Sequence, residues 1–159
     1  MIHNVQSFIF PAAFALLPGV MDSLQARAML LAIGLQESRF LHRRQVGGPA
    51  RGFWQFEKNG GVRGVLQHPA TILHAKHVCE ELRYPVTIDA CYVAIEHNDV
   101  LACCLARLLL WTVPGMLANR GDPDKGWEQY MDGWRPGKPH RETWDEHFVQ
   151  AWHIVTEVG

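Results

Sequence analysis

Residues 30–40 read LLAIGLQESRF and residues 52–56 read GFWQF, and these two stretches decide the expected fold and the candidate site. The first is an apolar helix whose last turn carries one carboxylate, Glu37. A carboxyl group among apolar neighbours loses hydration, which raises its pKa. We therefore expect Glu37 to hold a proton near neutral pH and to be able to donate it.

Helices are also predicted on both sides of this stretch, because apolar residues recur at spacings of three and four. Asp22 is the expected cap of the helix that leads to Glu37, and Pro69 is expected at the first position of a later helix. The predicted helices cover residues 8–17, 22–38, 69 to about 83, a segment beginning at Thr87 or Asp89, 100–113, a segment carrying Trp127, Tyr130 and Trp134, and 141–157. Strand-like alternation is nearly lacking, so the predicted fold is all-α, with about seven helices around the apolar helix 100–113.

Composition fits one compact domain spanning residues 1–159, since 48% of the residues are hydrophobic. A formal charge of −1 argues against nucleic-acid binding. No apolar run reaches the ~20 residues that span a bilayer. The apolar N-terminal stretch lacks the basic start and the cleavage site of a signal peptide, so we expect no export signal.

Cysteine and histidine spacings can indicate disulfides or metal sites. The cysteines at positions 79, 91, 103 and 104 lie in apolar helical segments without C-x-x-C spacing, which predicts buried reduced thiols. His74 and His77, with Glu81 four residues later, have the spacing of zinc ligands on one helix face. One such pair is weak evidence, and we predict neither a metal nor a cofactor.

The two stretches around Glu37 resemble a known family. Glu37-Ser38, with Gly52-x-x-Gln55 ending eighteen residues after the glutamate, is similar to the E-S…G-L-M-Q pattern of soluble lytic transglycosylases and the wider goose-type lysozyme family. The likeness covers residues 22–56, with Phe53-Trp54 in place of the usual Leu-Met. For the later A-Y-N segment of the family, the positional candidates are residues 111–113 or Tyr130. The resemblance implies a lysozyme-like fold in which Glu37 lies at the floor of a sugar-binding cleft.

This resemblance implies an enzyme that cleaves the MurNAc–GlcNAc linkage of bacterial peptidoglycan, as a lytic transglycosylase or a muramidase. Glu37 would serve as general acid and base. The absence of an export signal fits a bacteriophage endolysin or virion protein, made in the bacterial cytoplasm and brought to the wall by release or injection. Its expected partners are peptidoglycan and phage virion or lysis proteins.

Further residues are candidates for contact with the sugar chain. Trp54 is expected to be exposed in the cleft, and the basic loop around Arg43 to attract an anionic wall. Trp134 either covers the cleft in a basic-aromatic turn or fills the core. The complete set of predicted substrate-binding residues is Ser38, Gln55, Trp54, Arg43, Tyr130 and Trp134.

Several alternatives stay open at this point. Glu57 is a candidate second catalytic carboxylate, which retaining and inverting glycosidases place about 5 Å or 6.5–9.5 Å from the acid. Glu96 and Asp99 are further candidates for this role. Alternatively, Glu57 is a solvated residue at the start of a helix, and Glu37 is a helix-end carboxylate paired with a nearby arginine. The whole chain can also be an inactive or weakly active lysozyme-like module that binds or builds a virion or secretion assembly.

Overall fold

A computed structural model describes residues 1–157, and these residues form an all-helical fold. The prediction of an all-α protein is confirmed. Besides helices and loops, the described residues contain two isolated antiparallel bridges, Arg44 with Arg51 and Arg51 with Phe56. The α-helices are α1 (Ile2–Asn4), α2 (Phe10–Phe14), α3 (Leu24–Ser38), α4 (Arg63–Gln67), α5 (Ile72–Glu81), α6 (Ile88–Ala94), α7 (Asp99–Trp111), α8 (Pro123–Trp134) and α9 (Arg141–Glu157). Single π-helical turns precede α2 (Val5–Ile9) and α4 (Lys58–Val62), and a 3-10 turn covers Gly19–Met21.

Helix α7 is the buried centre of the fold, as its nearly unbroken apolar sequence predicts. Every residue from Leu101 to Leu110 is buried. The helix packs against α2, α3, α4, α5 and α8. Its first turn is capped by Asn98, whose side chain accepts a hydrogen bond from the Leu101 N–H at 3.0 Å. Buried Arg107 donates to the Met21 carbonyl at 2.7 Å and so fixes the turn before α3.

Helix α3 carries Glu37 and packs along α9. Its cap is Ser23, whose hydroxyl accepts a hydrogen bond from the Ala26 N–H at 3.0 Å. The prediction of Asp22 as the cap is therefore wrong by one residue. Asp22 instead binds the guanidinium of Arg27 at 2.7 Å, because its carboxylate lies beside the first turn of the helix.

The other helix ends agree with the sequence to varying degrees. Thr87 caps α6, and α9 covers the predicted residues 141–157. Pro69 does not open a helix, because the chain makes a turn there that is held by the Thr71 hydroxyl, a donor to the Val65 carbonyl at 2.7 Å. The four cysteines are buried and unbridged, as predicted. Among the helices of residues 1–157, none has the length and apolar character needed to cross a membrane.

Candidate active site

The chain turns sharply directly after Glu37. Helix α3 ends at Ser38, and the next two residues, Arg39 and Phe40, both have a left-handed backbone with φ of 53° and 54°. This conformation is unfavourable for residues with a side chain. It is made possible by Gly34, since a Cβ at that position would lie 2.1 Å from the Phe40 ring. Phe40 thus folds back over the helix, and Glu37 is left in its last turn.

The second stretch of the motif is fastened to this helix end. Gly52 and Gln55 also have positive φ, 74° and 53°, so the chain makes a tight turn around Phe53 and Trp54. The Ser38 hydroxyl donates to the Phe53 carbonyl at 2.7 Å and accepts from the Phe40 N–H at 3.1 Å. The two stretches that resemble the family motif therefore meet at Ser38.

Glu37 is partly exposed and has one polar partner in its surroundings. The Tyr130 hydroxyl donates to its Oε1 at 2.5 Å. Burial raises the pKa of Glu37 from 4.5 to about 7, and the hydrogen bond from Tyr130 opposes part of that rise. The carboxyl group thus keeps its proton in mildly acidic solution and loses it as the pH rises through neutrality.

No basic side chain of the described residues pairs with Glu37. Arg43 binds Asp99 at 2.8 Å and Arg44 binds Glu96 at 2.9 Å, while Arg39 is exposed. The alternative in which Glu37 is a helix-end carboxylate neutralised by an arginine is therefore wrong. Because no cation from residues 1–157 lies beside this carboxyl group to stabilise its charged form, its neutral, protonated form is favoured.

Helix α8 supplies an aromatic wall beside Glu37. Tyr130 stacks on Trp144 of α9, with ring centres 5.2 Å apart and planes 7° from parallel. Burial and the neighbouring Glu37 raise the pKa of the Tyr130 hydroxyl, so it stays a hydrogen-bond donor. One turn later, the Trp134 indole donates to the Trp54 carbonyl at 2.9 Å. Trp134 is only partly buried, and its ring centre lies 6.3 Å from that of Tyr130.

Three of the predicted substrate-binding residues have structural partners instead. Trp54 is 1% exposed and its indole donates to the Leu30 carbonyl at 2.8 Å, so the prediction of a cleft-exposed tryptophan is wrong. Ser38 is buried, and its hydroxyl joins backbone groups. Arg43 binds Asp99 through two nitrogens and lies over the Phe53 ring at 4.3 Å. Ser38 and Arg43 thus both hold the site together; the buried Ser38 hydroxyl is taken up by backbone groups, whereas a contact of Arg43 with substrate stays a prediction, since 40% of its side chain is exposed.

Of the other three predicted residues, Tyr130 is buried and hydrogen-bonds to Glu37, whereas Gln55 and Trp134 are partly exposed. The Gln55 side chain donates to the Gly52 carbonyl at 2.9 Å, and its amide oxygen accepts no hydrogen bond from residues 1–157. Of the two candidates for the later family segment, Tyr130 is the one at the acid. Residue Trp111 lies on α7, with its ring 5.3 Å from the guanidinium carbon of Arg107.

The other carboxylates do not share the environment of Glu37. Glu57 is exposed and precedes the π-helical turn Lys58–Val62 without a capping hydrogen bond. Asp99 binds Arg43, and Glu96 binds Arg44 at 2.9 Å and Arg51 at 3.8 Å. Glu96 and Asp99 are therefore structural.

A polar cluster beside the acid was missed by sequence reasoning. Gln36 donates to the His140 carbonyl at 2.9 Å and accepts from the Thr143 hydroxyl at 3.1 Å. Its amide oxygen also lies 2.8 Å from Nδ1 of His147. Burial, and then the charge of Arg39, lower the pKa of His147. The only sequence signal for this cluster is the position of Gln36 beside Glu37.

Two grooves formed by the described residues do not include Glu37. One is a shallow groove along α6, lined by Tyr84, Asp89, Ala90, Val93, Ala94 and His97, and another follows the outer face of α9. Across residues 1–157, no three His, Cys, Asp or Glu side chains, including His74, His77 and Glu81, are grouped to hold a metal ion.

No family model, curated protein or solved structure matches the chain. The resemblance to lytic transglycosylases stays a prediction.

Proposed function

We propose that the protein cleaves the glycan strand of bacterial peptidoglycan, with Glu37 as the general acid and base. The observation that carries the proposal is the Glu37 carboxyl group itself, which is partly buried, free of any cationic partner in the described residues and has a pKa of about 7. A carboxylic acid with a pKa near the working pH is suited to proton transfer in both directions. The setting proposed for this activity is phage lysis or infection.

The chemistry requires a proton for the leaving oxygen of the β-1,4 glycosidic bond. Protonated Glu37 gives its proton to that oxygen as the C1–O bond breaks, and the resulting carboxylate then removes a proton from the incoming hydroxyl group. If the sugar's own C6 hydroxyl attacks, the product is a 1,6-anhydro sugar. If water attacks, the product has a reducing end. Tyr130 stabilises the carboxylate that exists between these two transfers.

Digestion of purified peptidoglycan sacculi, followed by mass spectrometry of the products, tests the proposal. We expect soluble muropeptides from the wild-type protein and a loss of about 10²–10⁴-fold in rate for Glu37→Gln, because glutamine cannot donate the proton. Glu128→Gln is the matched control, since Glu128 is exposed on α8. Intact sacculi with the wild-type protein, or full activity in Glu37→Gln, would contradict the proposal.

A non-catalytic binding module is the second candidate. It is favoured by the placement of the grooves, because the concave surfaces along α6 and α9 do not include Glu37. Such a module would sediment with sacculi and release no fragments. Binding that is equal in the wild-type protein and in Glu37→Gln, without cleavage by either, supports this second function.

A further inference from the structure

Two of the buried cysteines lie in contact with each other between α5 and α6. The Sγ atoms of Cys79 and Cys91 are 3.5 Å apart, and neither residue has exposed surface. Cys79 lies near the end of α5 and Cys91 in the middle of α6. A bond between these sulfurs would therefore join two neighbouring helices.

The remaining cysteines have other surroundings. The Cys104 thiol lies 3.5 Å from the Ala13 carbonyl oxygen, to which it donates. Cys103 is the preceding residue of α7, and consecutive residues of a helix point in different directions. Cys79 and Cys91 thus form the one pair of thiols in contact within residues 1–157.

We propose that Cys79 and Cys91 form a disulfide bond when the chain folds in the presence of a small-molecule disulfide such as oxidised glutathione. The thiolate of one of these two cysteines attacks one sulfur of the oxidant, which forms a mixed disulfide and releases one glutathione thiolate. The other cysteine then loses its proton and attacks the protein sulfur of the mixed disulfide, which releases the second glutathione. Two protein thiols are oxidised by two electrons, and one glutathione disulfide is reduced to two thiols.

The geometry between the helices favours this bond. A disulfide has an S–S length of about 2.05 Å, so the two sulfurs need to approach by about 1.5 Å. The turn between the helices is fixed, since the Tyr84 N–H donates to the Cys79 carbonyl at 2.8 Å. Because both thiols are buried, the reaction takes place during folding or after local opening.

The disulfide would stabilise the region of α6, whose contacts hold the candidate site in place. It would take no part in the chemistry of that site. From α6, the Tyr92 hydroxyl donates to the Pro49 carbonyl at 2.6 Å. Glu96, just after α6, binds Arg44 at 2.9 Å. These contacts hold the loop that leads from Glu37 to Gln55. The proposed disulfide does not depend on the proposed function, since it is defined by the two sulfurs alone.

Refolding of the unfolded full chain in a buffer of oxidised and reduced glutathione tests the proposal. After acid quenching, the protein is alkylated under denaturing conditions and studied by mass spectrometry, intact and after digestion. We expect two of the four cysteines to be alkylated and a peptide that links Cys79 to Cys91. The Tm of the oxidised protein should exceed that of the reduced protein by about 5–10 °C, as expected for a short closed loop.

The Cys79→Ala variant should lose both the linked peptide and the rise in Tm, whereas Cys104→Ala, the buried control, should keep both. If Cys79→Ala does not fold, the peptide map of the wild-type protein decides the question alone. Four alkylated cysteines after refolding in the oxidised buffer, or a bridge to Cys103 or Cys104, would overturn the proposal.

Discussion

At Glu37, two opposing effects set the protonation of one carboxyl group. Burial favours the protonated form, and the hydrogen bond from Tyr130 favours the carboxylate. The activity of a general acid falls as the pH rises through its pKa, so the alkaline limb of the proposed activity should lie near pH 7. The pH at which this limb lies is therefore set by Glu37 and its single polar partner within residues 1–157, Tyr130.

Replacing Tyr130 by phenylalanine should move that limb. Without the hydroxyl donor, the Glu37 carboxylate is less stable, so its pKa rises further and the alkaline limb shifts to higher pH. The measurement is the pH dependence of kcat/KM on soluble glycan fragments. Tyr92→Phe is the control, because the Tyr92 hydroxyl bonds to the Pro49 carbonyl. A limb that stays in place in Tyr130→Phe would show that another group controls the rate.

The Glu57→Gln variant separates a one-carboxylate from a two-carboxylate mechanism. Glu57 is exposed and lacks a capping hydrogen bond, so we expect the variant to keep the wild-type rate within about threefold, far from the 10²–10⁴-fold of a catalytic acid. The rate of sacculus digestion measures this. A large loss in a variant that unfolds at the wild-type temperature would assign Glu57 to the reaction.

On the scale of helices, Gln36 joins the end of α3 to the start of α9. Its side chain bonds to the His140 carbonyl, Thr143 and His147. We expect Gln36→Ala to lower the free energy of unfolding by about 1–3 kcal/mol, because these groups lose their partner. Denaturant unfolding measures the change, with Gln150→Ala on the exposed face of α9 as control. Equal stabilities of the two variants would mean that the cluster contributes nothing.

The sequence predicted the helices better than their ends. Helix α9 and the burial of α7 follow directly from the spacing of apolar residues. Ser23 and Asp22 are both favourable N-cap residues for α3. Only the backbone conformation decides which of their side-chain oxygens accepts the hydrogen bond from the free Ala26 N–H. Pro69 fits a turn as well as a first helical position, so its sequence neighbours could not decide between them.

For the whole molecule, Glu37 links stability to pH. The folded protein holds this proton up to about pH 7, while the unfolded chain loses it near pH 4.5. Between these values the native state binds more protons, so stability falls as the pH rises, by roughly 3 kcal/mol in total. Glu37→Gln removes this dependence and should be more stable than the wild type at pH 8 but not at pH 4.

Thermal unfolding at several pH values measures this difference, with Glu128→Gln as the exposed control. If wild type and Glu37→Gln respond equally to pH, the Glu37 carboxyl is hydrated in the folded protein. That outcome would also remove the main support for a general acid at this position.

The candidate site itself was predictable only in part. The apolar helix around Glu37 indicates a carboxyl group with a raised pKa, but Tyr130 lies 93 residues away and nothing in its own neighbourhood marks it as the partner. The sequence also could not predict the directions in which the side chains of Trp54 and Ser38 point. They depend on the left-handed residues Arg39 and Phe40, which turn the chain back over α3.

The loop between Glu37 and Gln55 is fastened by residues that come much later in the chain. Asp99 holds Arg43 across 56 positions, and Tyr92 holds Pro49 across 43. A peptide of residues 22–56, transplanted into another scaffold, would carry every letter of the motif and none of these anchors. The site therefore depends on contacts from the whole chain, and residues 22–56 alone would not reproduce it in another protein.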